Sequence, residues 1–130
     1  MFVNFTNHSS EKWSAKQLKA AKQYGDIFDI PFPSVSADGD EDYIMELTNK
    51  YITEITVLRP TAVLCQGEMS LSYAVVSSLI EKGILVLVAC SKREAVESVR
   101  GNGCTTKSSM FIFTRFRKYH VPSKCYVVVW

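Results

Sequence analysis

TAVLCQGEMSLSYAVVSSLIEKGILVLVA, residues 61–89, sets two short apolar runs on either side of a stretch whose apolar residues recur every three or four positions. TAVLC (61–65) and ILVLVA (84–89) are continuous rather than alternating, as in strands covered on both faces, and too short for buried helices. Between them Leu71, Ala74, Val75, Ser78 and Leu79 form a helical stripe, which predicts a helix from Ser70 to Lys82 stopped by Gly83. Two covered strands joined by such a helix pair in parallel with a right-handed crossover. This unit decides for an open α/β sheet.

Working toward the N-terminus, Ile44, Leu47, Tyr51, Ile55 and Leu58 mark a helix over 41–58, closed by Arg59-Pro60. The loop PFPSVSADGDED (31–42) precedes it, with acidic residues that favour the positive end of the helix dipole. A strand at 26–30 ends at Pro31 and Pro33. Ser14 and Gln17 have capping-box spacing for a helix over 15–24, with Gly25 as its stop. Met1–Phe5 reads as the first strand. Toward the C-terminus the pattern changes after Cys90. Residues 95–99, the turn-rich RGNGCTTKSS (100–109) and residues 110–119 predict a hairpin with a long tip. Alternation in FIFTRFRKY puts Phe111, Phe113, Arg115, Arg117 and Tyr119 on one side and Ile112, Thr114, Phe116 and Lys118 on the other. CYVVVW (125–130) reads as a last edge strand or a subunit contact.

The expected fold is α/β, a single Rossmann-like domain over 1–130 with a mostly parallel sheet, helices on both faces and a C-terminal β-hairpin, residues 95–130 being an extension. Composition agrees: 130 residues, 47% hydrophobic and 22% charged, are ordinary for one globular domain. No apolar run approaches the roughly 18 residues of a membrane span, and MFVNFTNH lacks a basic leader, so the expectation is a cytoplasmic protein with no membrane partner. The four cysteines are far apart without a CxxC pair, which argues for thiols and against a metal or other cofactor. A net charge of +2 does not suit a duplex nucleic-acid partner.

In an open parallel sheet, ligands sit beyond the carboxyl ends of the strands, where strand order reverses. Three polar segments leave such ends: TNHSSEKW (6–13), QGEMS (66–70) and CSKRE (90–94). With the order 2-1-3-4, the first two flank one crevice. His8 is a candidate for proton transfer, since histidine changes charge near neutral pH, or is simply a loop residue. Thr6, Asn7, Ser9 and Ser10 would line the same site. Trp13 is a lid on the first helix or a stacking platform. Gln66-Gly67-Glu68 enters a helix whose free amides can hold a phosphate, Gly67 admitting a close ligand, or is a plain turn. Ser91, Lys92 and Arg93 could neutralise phosphate or be a solvated turn, and Arg115 and Arg117 of the hairpin add charge or simply form a solvated edge.

NFTNHSSEKWS, QYGDIFDIPFP, VLCQGE, ILVLVACS and FIFTRFRKY together resemble a set of small CRISPR-associated proteins with one Rossmann-like domain, over about residues 2–119. These are similar to ancillary ring nucleases of type III CRISPR systems, in which a first strand also ends in a short polar motif with histidine. The resemblance implies a homodimer that receives a cyclic oligoadenylate across its twofold axis and cuts it without metal, cyclic tetra-adenylate being the favoured ring. It places Thr6, Asn7, His8, Gln66, Gly67 and Glu68 at the site, with His8 and Glu68 as the catalytic pair. A sensor that binds the ring without cutting, and a nucleoside- or nucleotide-processing enzyme with Glu68 as nucleophile, are the alternatives.

Overall fold

The computed structural model describes residues 1–99, 101 and 103–122. Five strands, β1 (Phe2–Phe5), β2 (Ile27–Asp29), β3 (Ala62–Cys65), β4 (Leu85–Val99) and β5 (Thr105–Lys118), form one sheet in the order β2-β1-β3-β4-β5. β1 pairs in parallel with β2 and β3, β3 in parallel with β4, and β5 closes the edge antiparallel to β4. The expected α/β fold with its C-terminal hairpin is the observed one, and the order reverses between β1 and β3.

Alternation along the strands sorts the core onto two faces. Val3, Phe5, Val63, Cys65 and Val86 meet helices α2 (Glu41–Val57) and α3 (Met69–Glu81), which contribute Tyr51, Ile55, Leu71, Val75 and Leu79. Phe5 sits between the rings of Phe32 and Tyr51, at 4.8 and 4.9 Å. Phe2, Ala62, Leu64 and Leu87 face the other way, toward Ala21 of helix α1 (Ala15–Lys22) and the rings of Trp13, Tyr24 and Phe116. Ser14 caps α1 by accepting from the Gln17 amide, as the spacing predicts.

The hairpin departs from expectation twice. β4 does not stop at Ala89: residues 91–99 continue it, paired with 105–113, so the tip shrinks to the few residues between Val99 and Thr105. The described side chains of 91–95 are all exposed, so no one-sided burial imposed an apolar period that a reading of the sequence could follow. Ser91, Lys92 and Arg93 therefore lie in a paired strand, where a loop was expected. The second departure is a β-bulge. Cys90 faces Arg115 while Ser91 faces Phe113, leaving Thr114 as the extra residue. The bulge resets the alternation, so Phe113 and Phe116, expected on opposite sides, have rings 4.9 Å apart. The segment CYVVVW lies outside the described residues.

Candidate functional site

The β1 loop is built around two polar residues of neighbouring strands. Asn4, fully buried in an otherwise apolar strand, stands opposite Asp29 at the end of β2. Its Nδ2 donates to Asp29 Oδ1 at 3.0 Å and to the His8 carbonyl at 2.9 Å, while its Oδ1 accepts from the Thr6 hydroxyl at 2.8 Å. Asp29 Oδ2 accepts from the amide and hydroxyl of Ser10, both at 3.0 Å, and from the Ser9 hydroxyl at 3.3 Å. Thr6 Oγ1 accepts from the His8 amide at 3.1 Å, and Trp13 Nε1 donates to the His8 carbonyl at 3.2 Å. Partial burial alone would raise the Asp29 pKa, but the donors from Asn4, Ser10 and Ser9 outweigh it and hold the carboxyl below its ordinary range.

The hydroxyls of Thr6, Ser9 and Ser10 are thus engaged in shaping the loop. Asn7 and His8, like Glu11 and Lys12 further along, are left exposed, and among the described residues the His8 imidazole has no hydrogen-bond partner. Trp13 is half-buried, with its ring edge-on to Phe2 at 6.2 Å and near Phe116 at 6.4 Å, so it ties the loop to the β5 edge.

The second loop sits beside the first: the Gln66 amide donates to the Phe5 carbonyl at 3.3 Å. Gln66 Oε1 accepts from the Ala89 amide of β4 at 2.9 Å, fastening the loop across the sheet. At Gly67 a Cβ would come within 2.5 Å of the Phe32 ring, so glycine is required there by a packed aromatic. Glu68 caps α3: its two oxygens accept from the Ser70 amide at 2.8 Å, the Leu71 amide at 2.9 Å and the Ser70 hydroxyl at 2.6 and 2.7 Å. Those bonds, the Ser70 hydroxyl foremost, lower its pKa. Its carboxylate sits on amides where a phosphate was expected.

The structure therefore brings the loops with Thr6, Asn7, His8, Ser9, Ser10, Trp13 and Gln66, Gly67, Glu68 to the carboxyl ends of adjacent strands. Ser91 and Arg93 lie further out on the β4–β5 arm, where Arg93 Nε donates to Ser109 Oγ at 3.1 Å. Asn4 and Asp29 were not singled out from the sequence. The signal was a polar residue inside FVNF, but only strand register shows that Asp29 stands opposite it. His120 was also not singled out; together with Gln66 and Gly67 it lines a groove of about 850 Å³ along α3. Among the described residues no three His, Cys, Asp or Glu side chains converge as a metal site would need, and no helix is long and apolar enough to cross a membrane.

The pattern of one family, described as the uncharacterized protein MJ1673 family, matches residues 1–117. Nothing among the curated proteins or the solved structures matches the chain.

Proposed function

The chain belongs to the uncharacterized protein MJ1673 family, and from its own site we propose that it is a metal-independent ring nuclease, a homodimer that degrades cyclic oligoadenylate, with tetra-adenylate the favoured ring, in type III CRISPR antiviral defence. The observation that carries this reading is the β1 loop, whose backbone and hydroxyls are held from below by Asn4 and Asp29 while Asn7 and His8 face outward at the switch point of the sheet. Scission of RNA by its own 2′-hydroxyl needs an in-line geometry more than a crowd of catalytic groups: the 2′-oxygen attacks the adjacent phosphorus and the 5′-oxygen leaves with a proton. Positioning supplies most of the rate. A fixed loop that presents one imidazole suits that chemistry.

We assign proton transfer to His8 alone, because both Glu68 oxygens already accept hydrogen bonds from the start of α3. The same engagement tells against Glu68 as nucleophile of a nucleoside-processing enzyme. It keeps the sensor as second reading, since a site with one proton-transfer group is close to a site with none.

The test is a single-turnover assay with cyclic tri-, tetra- and hexa-adenylate in EDTA. Wild type is expected to linearise cyclic tetra-adenylate, and His8→Ala to slow the step by about 10²–10⁴-fold with much less effect on binding. Tight binding without cleavage would replace the nuclease by the sensor. Neither binding nor cleavage would remove both.

A further inference from the structure

Charge is unevenly shared along the chain. Residues 1–89 hold seven Lys and Arg against eleven Asp and Glu, whereas residues 90–118 hold seven against two. The basic stretch is the β4–β5 arm. β4 runs parallel to β3 and continues past the ends of β1 and β3, so the arm rises from the end of the sheet where the two candidate loops meet. Residues 90–99 carry it outward by about 30 Å at roughly 3.3 Å each. The bulge decides which side chains share a face. Arg117 stands opposite Val88, Arg115 opposite Cys90 and Ile112 opposite Lys92, and regular alternation along β4 turns these three rungs to one side. It is the side of Val86, opposite to that of Leu87 and Phe116. Arg117, Arg115 and Lys92 thus stand in single file, all exposed, with a step of about 6.6 Å for every two residues of β4. Arg115 engages only its Nε, with the Phe116 carbonyl at 3.3 Å. Among the described residues none of the three has an ion-pair partner, and the ion pair the arm does contain, Lys107 with Glu97 at 3.6 Å, lies on the other face.

We propose that this file of cations is a track for a single strand of RNA, held by its phosphates and leading outward from the candidate site. The choice of RNA rests on the reading of that site; the track itself rests on the arm. Its geometry fits one phosphate backbone, since three cations in a single row, a step apart that is close to the spacing of successive phosphates in an extended strand, match one strand where a duplex presents two. Its charge is free to act: cations without carboxylate partners exchange their counterions for phosphates, and the arginines offer planar forks that take phosphate oxygens in pairs. Its place is the third support. The track begins next to Ala89, whose amide donates to Gln66 Oε1 at 2.9 Å, so a strand lying across the switch point of the sheet meets Arg115 and Arg117 as it leaves. Glu94, two residues beyond Lys92 on the same face, marks its outer end.

Fluorescence anisotropy of the full-length protein with a labelled single-stranded RNA of mixed sequence, about twelve nucleotides long, tests the track without calling on adenine recognition. Three phosphate contacts on a single strand predict a log–log salt slope of about −2, so affinity should fall about 20-fold between about 50 and 200 mM salt. The triple variant Lys92→Gln, Arg115→Gln, Arg117→Gln should lose at least about tenfold at the lower salt and most of that slope. Lys107→Gln, the same change of charge on the other face of the arm, should bind as wild type does. Unchanged affinity and slope in the triple variant would overturn the proposal. So would a DNA strand or an RNA duplex of the same length that binds as tightly. Ring cleavage measured on the same samples separates this reading from that of the site: RNA held through the three cations by a protein that neither binds nor cuts a ring bears out the track, whereas a ring cut by a protein that holds no linear RNA overturns it.

Discussion

Asp29 accepts four hydrogen bonds from three side chains and one amide, and through them a single carboxylate sets the shape of the β1 loop. Replacing it with asparagine puts an amide nitrogen toward groups that are themselves donors. The cost near neutral pH is expected to be about 1–2 kcal/mol, toward the low end of what hydrogen bonds to a charged group contribute, because the carboxylate is only partly buried. The sign of the pH dependence is set by the lowered pKa. A carboxyl whose folded value is depressed adds stability above its unfolded value, near 4, and that stability is lost as pH falls through the folded value. Urea unfolding of wild type and Asp29→Asn should therefore differ at pH 7 and converge toward pH 3. An equal difference at both pH values would mean that the carboxylate's charge is not what organises the loop.

At the level of elements, the chain was legible wherever burial imposed a period. β3, α3 and the first part of β4 fall within a residue or so of their expected limits because each has a covered face that the apolar residues trace. The same logic located α1 through Ser14 and α2 through its stripe. It failed where no burial existed to leave a trace. The outer β4–β5 arm is a ladder of backbone bonds whose described side chains are mostly exposed, and a ladder writes nothing into the sequence. It failed too at Thr114, since a bulge shifts parity without changing composition. Deleting Thr114 should remove the bulge and leave Phe113, only 7% exposed, two positions before Phe116 on one face of a plainly alternating strand, so the ring pair is kept. The urea midpoint is expected to stay near that of wild type, whereas Phe113→Ala should cost about 3 kcal/mol. A deletion as costly as Phe113→Ala would show that the bulge itself holds the ring pair.

Across the whole molecule, strand order does the placing. Three parallel connections put β1 and β3 side by side at the middle of the sheet, so the two loops that carry the candidate residues meet without any long-range feature of the sequence announcing it. The site's support was less legible than its rim. Thr6, Ser9 and Ser10 are visible as a polar run, whereas the partner that uses them, Asp29, belongs to another strand and is recognisable only once register is known.

The central strand β3 ends in a thiol that can report on the whole chain. Cys65 lies directly below Gln66, fully buried, and burial pushes its thiol up to about 12. Alkylating reagents attack the thiolate, so the native protein shields this sulfur twice, by access and by protonation. In a chain with Cys90, Cys104 and Cys125 changed to serine, modification of Cys65 would occur only in molecules that have opened, and its rate would act as a clock for opening. Any small molecule that binds the native state slows that clock by the factor 1 + [L]/Kd. Cyclic tetra-adenylate at about 100 times its Kd should then lengthen the labelling half-life about 100-fold. The affinity of a ring could thus be timed in His8→Ala without label, product or turnover, and an unchanged half-life over a wide range of ring concentrations would show that the folded chain does not hold it.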